Sequence, residues 1–98
     1  MSEEITHDPA RSRYDLVVDG SLGAYAEYER DDDVIVFTHT VTTPTMRGRG
    51  LAGKVVRHAL DDARANDRVV IAQCWYVAQY IDQHPEYADL LTKRDTPS

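Results

Sequence analysis

The sequence predicts an α/β domain with a mixed sheet, in which an antiparallel meander of three strands is followed by a helix, a strand and a second helix. Apolar residues alternate with polar ones through the first part of the chain, as they do in half-buried strands. After Pro44 they recur every three or four residues, as along one face of a helix. A short β-branched stretch follows, and a βαβ crossover would place it parallel to the preceding strand.

The strands of the meander are bounded by turn residues. The first strand covers residues 14–18, and the dipeptide Asp19-Gly20 after it is typical of a two-residue hairpin turn. The second covers residues 22–29, where small and apolar residues alternate with glycine, tyrosine and glutamate. The third covers residues 34–41 and is long and β-branched, which favours a central position in the sheet.

The second half of the chain alternates between helix and strand. An i, i+4 row of apolar side chains predicts an amphipathic helix of about sixteen residues that packs on the sheet and ends at Asn66-Asp67. This row consists of Leu51, Val55, Ala59 and Ala63. Residues 68–74 then predict a short apolar strand, and residues 77–84 a last helix. His84 helps to end that helix, because the residue before Pro85 resists helical geometry.

Length and composition allow one folded domain. The 98 residues are 42% hydrophobic and 29% charged, which excludes a disordered chain. We expect a flexible N-terminus over residues 1–11, apart from any strand that it joins, one domain over 12–93 and a flexible tail over 94–98. Apolar runs are too short for a membrane span, and the single cysteine cannot form an internal disulfide. We therefore expect a cytoplasmic protein with no metal site and no membrane partner.

The charge distribution sets one segment apart. A net charge of −6 argues against a nucleic-acid partner. All 17 acidic residues lie outside residues 34–60, and this stretch carries Arg47, Arg49, Lys54 and Arg57. The segment is either a chance result of an amphipathic helix or a binding site for a small, highly charged anion.

The basic segment contains a glycine loop immediately before the helix. Gly48 and Gly50 let backbone N–H groups point to one side, and the helix N-terminus adds partial positive charge. Such a loop cradles a phosphate with Arg47 and Arg49 as counter-charges, whereas the structural alternative is a tight turn without a ligand. The Walker pattern does not occur in the sequence, and the strand and acidic partner of a Rossmann site do not match.

The loop resembles the acetyl-CoA pyrophosphate motif of the GNAT N-acetyltransferases. Arg47-x-x-Gly50-x-Ala52 matches R/Q-x-x-G-x-G/A between a strand and the main helix. The chain from about residue 12 to 91 also resembles the minimal members of that family in three further segments. These are Thr38-His39-Thr40 before Pro44, Cys74-x-x-Val77, and His84-Pro85-Glu86-Tyr87. The resemblance implies a GNAT-like mixed sheet that lacks the N-terminal helices of larger members.

The resemblance implies acetyl-CoA as the cofactor. Its pantetheine arm would pair along the end of the third strand, where that strand splays from the strand ending at Cys74, and its pyrophosphate would bind backbone N–H groups of residues 49–53. Arg57 and His58 would be candidates for the adenosine phosphate. The implied acetyl-CoA-binding residues are Thr40, Val41, Thr42, Arg47, Gly48, Arg49, Gly50, Leu51, Ala52, Gly53 and Lys54.

The catalytic tyrosine of larger members is not matched. Their pattern N-x-x-A-x-x-F-Y places Cys74 at the asparagine, Tyr80 at the phenylalanine and Ile81 at the tyrosine. Tyr76 and Tyr80 are nearby, and two further residues are catalytic candidates. His39 could be a general base, and Cys74 a nucleophile or an acid. Their structural alternatives are a hydrogen-bonded sheet histidine and a buried core cysteine.

These observations predict an N-acetyltransferase that transfers an acetyl group from acetyl-CoA to a primary amine by direct attack in a ternary complex. The alternative is a catalytically weak CoA- or acyl-CoA-binding or sensing module of the same fold, which Ile81 and the missing helices favour. The expected partner is a small-molecule or protein amine. We expect a monomer or a weak homodimer.

Overall fold

A computed structural model describes residues 2–92 and shows a five-stranded sheet with helices on one face. The strands are β1 (Glu3–Asp8), β2 (Arg13–Val18), β3 (Ser21–Asp31), β4 (Val34–Thr42) and β5 (Val69–Ala72). They lie in the sheet in chain order. The pairs β1–β2, β2–β3 and β3–β4 are antiparallel, whereas β4 and β5 are parallel. The predicted α/β class with a mixed sheet is confirmed.

The helices follow the meander. They are α1 (Leu51–Ala65), α2 (Trp75–Gln83) and α3 (Ala88–Thr92), with single 3₁₀ turns at Pro44–Met46 and Pro85–Tyr87. α1 is the crossover between the parallel strands β4 and β5, as predicted. His84 follows α2 as its C-cap, and its N–H donates to the Ile81 carbonyl at 3.1 Å. Among the described residues, no helix is long and apolar enough to cross a membrane.

The hairpin between β2 and β3 has the predicted turn. Asp19 and Gly20 both have positive φ, of 50° and 84°. Two successive residues with positive φ characterise the type I′ turn, whose twist matches that of the flanking strands. The register then runs from Val18 opposite Ser21 towards Arg13 opposite Glu27.

The structure corrects the prediction at three places. Residues 3–8 form the edge strand β1, so the meander has four strands rather than three. The inward Ile5 packs against the core among mainly exposed polar neighbours, which left little alternation to detect. The strand expected over residues 68–74 ends at Ala72, and α3 follows the helix that was expected to be last. The expected tail, residues 94–98, lies outside the described residues.

The core lies between one face of the sheet and the helices. Inward side chains of β2 to β5 and side chains from all three helices form one buried cluster. Its largest fully buried members are Tyr14, Phe37, Leu16, Ile35, Leu51 and Leu60. The other face of the sheet is open, because no helix of residues 2–92 packs on it.

Two buried tyrosines fasten the sheet and the C-terminal helices to α1. The Tyr14 hydroxyl donates to Asp62 Oδ2 at 2.5 Å, and the Tyr87 hydroxyl donates to Asp61 Oδ1 at 2.6 Å. Burial and the hydrogen bond to Asp61 raise the pKa of Tyr87 to about 12, so its hydroxyl remains a donor at neutral pH. These bonds fix the position of α1, whose first turn borders the candidate site.

Candidate functional site

β4 and β5 are paired along only the first part of β4. Parallel pairs run from Val34 opposite Val69 to Phe37 opposite Ala72. The last backbone bond joins the N–H of Cys74 to the Phe37 carbonyl at 2.8 Å. Beyond it the chain leaves the sheet in α2, while β4 continues to Thr42. A slot therefore opens beside the end of β4, at the place where the sequence analysis expected a splay.

A β-bulge decides which side chains of β4 face the helices. The register between β3 and β4 shifts after Glu27, so that β4 accommodates an extra residue, Thr38. The Thr38 hydroxyl donates to the Glu27 carbonyl at 3.3 Å. Phe37 points into the core before the bulge. Beyond the bulge the alternation is displaced by one residue, so Thr40 turns towards the helices and His39 towards the open face.

The end of β4 also presents backbone groups to the slot. The N–H of Thr43 donates to the Gly23 carbonyl at 2.8 Å. Ala24 and Thr42, the adjacent pair, are therefore a non-hydrogen-bonded pair. The N–H and C=O groups of Thr42 point away from β3. Two residues earlier, the N–H and C=O groups of Thr40, opposite Ala26, also point away from β3. Within residues 2–92 no strand pairs with this edge, so an extended chain containing amides can hydrogen-bond there like an added strand.

The glycine loop leads directly into α1. Gly48 and Gly50 have φ of 85° and 71°, and a Cβ at either position would meet no heavy atom within 4 Å. These glycines are therefore required by backbone conformation and not by space. The first helical bond runs from the Lys54 N–H to the Gly50 carbonyl at 3.2 Å. The N–H groups of residues 51–53 consequently have no partner in the helix, and together with the helix dipole they offer donors and partial positive charge that would suit an anion.

The cationic side chains of the basic segment point in different directions. Arg47 and Arg49 are exposed in the loop, and the described residues offer them no ion-pair partner. Lys54 Nζ lies 2.7 Å from Glu3 Oε1 in β1, at the sheet edge opposite β5. The structure therefore groups the two arginines with the loop and directs the Lys54 ammonium away from the slot.

Arg57 and His58 are both exposed on α1, as predicted, but they face different neighbours. The His58 ring is edge-on to Tyr14, with centroids 6.0 Å apart, and so it lies towards β2. Arg57 lies towards α2, where its charge partly opposes the rise in the pKa of Tyr80. Of these two candidates, Arg57 lies nearer the tyrosines that border the start of α1.

Two tyrosines of α2 pack against the first turn of α1. A Cβ built at Gly53 would lie 3.5 Å from Tyr76 Oη and 3.7 Å from Tyr80 Cε2. Burial raises the pKa of both phenols. The Tyr80 ring also stacks on His84, with centroids 4.0 Å apart. The glycine at position 53 therefore lets α2 approach the helix N-terminus closely, and it leaves Tyr76 beside the loop.

The two catalytic candidates lie on opposite faces of the sheet. Cys74 is the N-cap residue of α2 and is 8% exposed, with its Sγ 3.5 Å from Thr40 Oγ1. The His39 side chain is 70% exposed on the open face, where its Nδ1 lies 3.5 Å from Glu27 Oε1. The structure therefore brings Cys74 to Thr40 but does not bring it to His39.

Two other features complete the surroundings. Ile81, at the position where the resemblance expects the catalytic tyrosine in larger members, is a core residue with 2% exposure. A cavity of about 280 Å³ lies between α2 and α3, lined by Ala78, Ile81, Asp82, Pro85, Ala88 and Leu91. No residue of the glycine loop or of β4 lines it. The slot beside β4, and not this cavity, therefore carries the candidate chemistry.

The sequence does not indicate the contact between His39 and Glu27. In the sequence Glu27 is one of two glutamates on the polar face of the strand predicted over residues 22–29. The bulge places it directly opposite His39. The partner of His39 on β3 could be counted from the turn between β3 and β4 only if the pairing were regular. The bulge shifts the pairing by one residue, so that count gives the wrong partner.

Comparison with known proteins agrees with the fold. A family model described as GCN5-related N-acetyltransferase matches residues 13–90. Protein NATD1 of Gallus gallus is 30% identical over 84 residues, which cover 84% of this chain and 76% of that protein. A GCN5-like protein of Staphylococcus aureus, solved by NMR, superimposes with a TM-score of 0.70 at 21% identity, covering 89% of this chain and 85% of the other.

A larger enzyme shares part of this fold. N-acetylglutamate synthase of Neisseria gonorrhoeae, solved with coenzyme A and N-acetylglutamate, matches with a TM-score of 0.55 at 20% identity. The match covers 62% of this chain and 15% of that enzyme, so it concerns the fold alone. Together with the mixed sheet, the splay beside β4 and the glycine loop, the family match over residues 13–90 shows that this chain belongs to the GCN5-related N-acetyltransferase family.

Proposed function

We propose that this chain transfers an acetyl group from acetyl-CoA to a primary amine while both substrates are bound. One observation carries the proposal. A slot edged by unpaired backbone groups of Thr40 and Thr42 and a glycine loop at a helix N-terminus lie at the same end of β4. The slot suits an extended arm that contains amides, and the loop suits a pyrophosphate. The Neisseria gonorrhoeae synthase, part of which shares this fold, was solved with coenzyme A, and this supports the assignment.

Most of the proposed binding contacts come from the backbone. Thr40 and Thr42 hydrogen-bond the arm, and the N–H groups of residues 51–53 bind the pyrophosphate. The side chains of Arg47 and Arg49 add positive charge beside that anion. The Leu51 side chain is buried in the core and contributes its N–H group only, while the ammonium of Lys54 remains with Glu3.

The reaction needs a base for the amine and an acid for the departing sulfur. Bound acetyl-CoA supplies a thioester as acetyl donor. The amine lone pair forms the new C–N bond, the C–S bond breaks, and its electron pair leaves on sulfur. His39 is the proposed acceptor of the amine proton, and Cys74 is the candidate donor of a proton to sulfur. A backbone N–H at the end of β4 stabilises the charge that develops on the carbonyl oxygen.

A second candidate function is binding or sensing of acyl-CoA without efficient turnover. Ile81 supports it, because this buried side chain cannot deliver a proton. The N-terminal part of the chain supports it too. The resemblance implies that larger members carry the helices that shape their acceptor pocket in this region, whereas here only residues 9–12 connect β1 to β2. Such a module has the same acetyl-CoA site as the enzyme and differs in turnover alone.

Two measurements on the wild-type protein test the proposal. Calorimetric titration with acetyl-CoA should show saturable binding that weakens as salt increases, because the loop contacts are electrostatic. The protein should also convert acetyl-CoA to CoA when a polyamine, a lysine-containing peptide or a small primary amine is added. CoA is measured by chromatography, so that the Cys74 thiol cannot contribute to the signal. Binding without amine-dependent turnover across this panel would establish the sensing module, and absence of binding would refute both candidates.

A further inference from the structure

The bulge in β4 brings an acid and a base together on the open face of the sheet. His39 would point into the core if β4 alternated regularly from Phe37, which is 1% exposed. The extra residue at the bulge instead turns it outwards, directly opposite Glu27. Bulges commonly redirect a side chain next to an active site. Here the redirected residue is an imidazole whose Nδ1 lies 3.5 Å from a carboxylate oxygen.

The slot has two mouths that differ in chemistry. On the helix side it is bordered by Cys74, Thr40 and Tyr76, next to the glycine loop. On the open side the nearest ionisable side chain along β4 is that of His39, one residue from the unpaired backbone groups of Thr40. A substrate anchored by the loop fills the helix-side mouth. A second substrate is then left with the open side.

Large hydrophobic side chains are also exposed near the ends of β4 and β5 and at the start of α2. Within residues 2–92 they are Val41, Ile71 and Trp75, with 39%, 49% and 73% exposure. Val41 follows His39 on the open face, Ile71 is near the end of β5, and Trp75 begins α2. Val41 and Ile71 therefore add exposed apolar surface to the open face.

We infer that Glu27 positions His39 as the base that removes the proton of the amine acceptor on the open face of the sheet. This inference rests on the proposed function. The Glu27 carboxylate favours the imidazole tautomer with its proton on Nδ1, which leaves the Nε2 lone pair for the amine. One N–H bond of the amine breaks as the C–N bond forms, and the proton moves to Nε2. The resulting imidazolium is stabilised by Glu27, a positioning residue that does not touch the substrate.

The neighbouring charges leave Glu27 available for this role. Arg13 is opposite Glu27 on β2, but its Nε lies 2.7 Å from Asp15 Oδ1 and its guanidinium lies 4.4 Å from the centre of the Tyr25 ring. Its charge is therefore balanced by Asp15. On the other side β5 presents Ile71, which is apolar. Glu27 is thus the carboxylate that faces His39 within the described sheet.

A purely structural reading treats the same contact as an exposed cross-strand pair. Such pairs contribute little to stability. The two readings differ in what they predict for catalysis. A structural pair affects the unfolding transition slightly and leaves the rate unchanged, whereas a positioned base lowers kcat when either member is removed and leaves acetyl-CoA binding intact.

Glu27→Gln is compared with Glu29→Gln, the next outward-facing glutamate of β3, which lies opposite Val36 rather than His39. Acetyl transfer to the best amine of the panel is measured with kcat and KM, together with acetyl-CoA affinity by calorimetry. We expect Glu27→Gln to lower kcat about tenfold and His39→Ala to lower it by a factor on the order of 10². Glu29→Gln should keep the wild-type kcat, and all three variants should keep the affinity. Free imidazole should restore part of the rate of His39→Ala, and Glu27→Asp should recover part of the rate lost in Glu27→Gln.

The outcomes separate the two proposals. Wild-type kcat in Glu27→Gln, or an equal loss in Glu29→Gln, overturns the role of Glu27 while leaving acetyl transfer established. Failure of imidazole to rescue His39→Ala overturns the role of His39 as the base. If the wild-type protein transfers acetyl to no amine of the panel, the proposed function fails and this inference fails with it.

Discussion

Replacing Gly50 by alanine isolates the backbone contribution of the loop. Gly50 has φ of 71°, and the added Cβ would meet no heavy atom within 4 Å, so the substitution introduces strain without a clash. A left-handed conformation costs an alanine roughly 1–2 kcal/mol relative to the right-handed one. The variant relieves this strain by moving the loop towards negative φ. That movement turns the N–H groups of residues 51–53 away from the anion position.

The expected loss of affinity follows from the number of bonds at stake. A hydrogen bond to a charged group contributes roughly 1.5–3 kcal/mol, and about 1.4 kcal/mol is a tenfold change in Kd. Loss of one such bond from the helix N-terminus should therefore weaken acetyl-CoA binding more than tenfold. Calorimetry at low salt measures the change, and urea unfolding measures the stability of the same sample.

Gly20 provides a matched control for this experiment. It has φ of 84° in the β2–β3 hairpin, and a Cβ there also meets nothing within 4 Å. Gly20→Ala should therefore lose a similar amount of stability, about 1 kcal/mol, with the wild-type Kd for acetyl-CoA. Equal affinities in the two variants would refute the reasoning, because backbone strain at the loop would then have no special consequence for the ligand.

Three further predictions address single side chains. Arg47→Ala should weaken acetyl-CoA binding by about 1–3 kcal/mol in calorimetry. Lys54→Ala should not weaken it, because the Lys54 ammonium is paired with Glu3 of β1. Equal losses in the two variants would contradict the placement of Arg47, and not Lys54, beside the pyrophosphate. Tyr14→Phe should lower the free energy of unfolding by about 1–3 kcal/mol, measured with urea, because a buried bond to α1 is lost; an unchanged midpoint would contradict this. Cys74→Ala should reduce acetyl transfer by a factor on the order of 10² with unchanged affinity, and a wild-type rate would assign Cys74 to the wall of the slot.

Periodicity in the sequence was sufficient to predict most of the fold. The i, i+4 row beginning at Leu51 specified α1, and the Asp19-Gly20 dipeptide specified a hairpin whose two φ values are both positive. The edge strand β1 was harder to recognise. Its inward residues include Glu3, which pairs with Lys54, and His7, which stacks on Tyr14 at a centroid distance of 4.2 Å. Polar residues that find partners on the inner face remove the alternation on which strand prediction depends.

The positions of the site residues depended on long-range register, which local patterns do not contain. The glycine loop was recognisable because its chemistry lies within one short segment. Glu27 and His39 are separated by a turn and a bulge, and a shift of one residue would move either side chain to the opposite face. For the same reason the sequence left open whether His39 and Cys74 meet.

The separation of His39 from Cys74 bears on the choice between two chemical mechanisms. A nucleophilic cysteine needs a neighbouring base to generate its thiolate, and its partner must lie within hydrogen-bond reach. His39 is on the open face, whereas Cys74 lies under α2 with its Sγ 3.5 Å from the Thr40 hydroxyl, which is not a base. An acetyl-cysteine intermediate formed by a Cys–His pair would require the end of β4 to lose its bulge. The arrangement therefore favours direct attack by the amine from the open face, with base and thiol acting from opposite mouths of the slot.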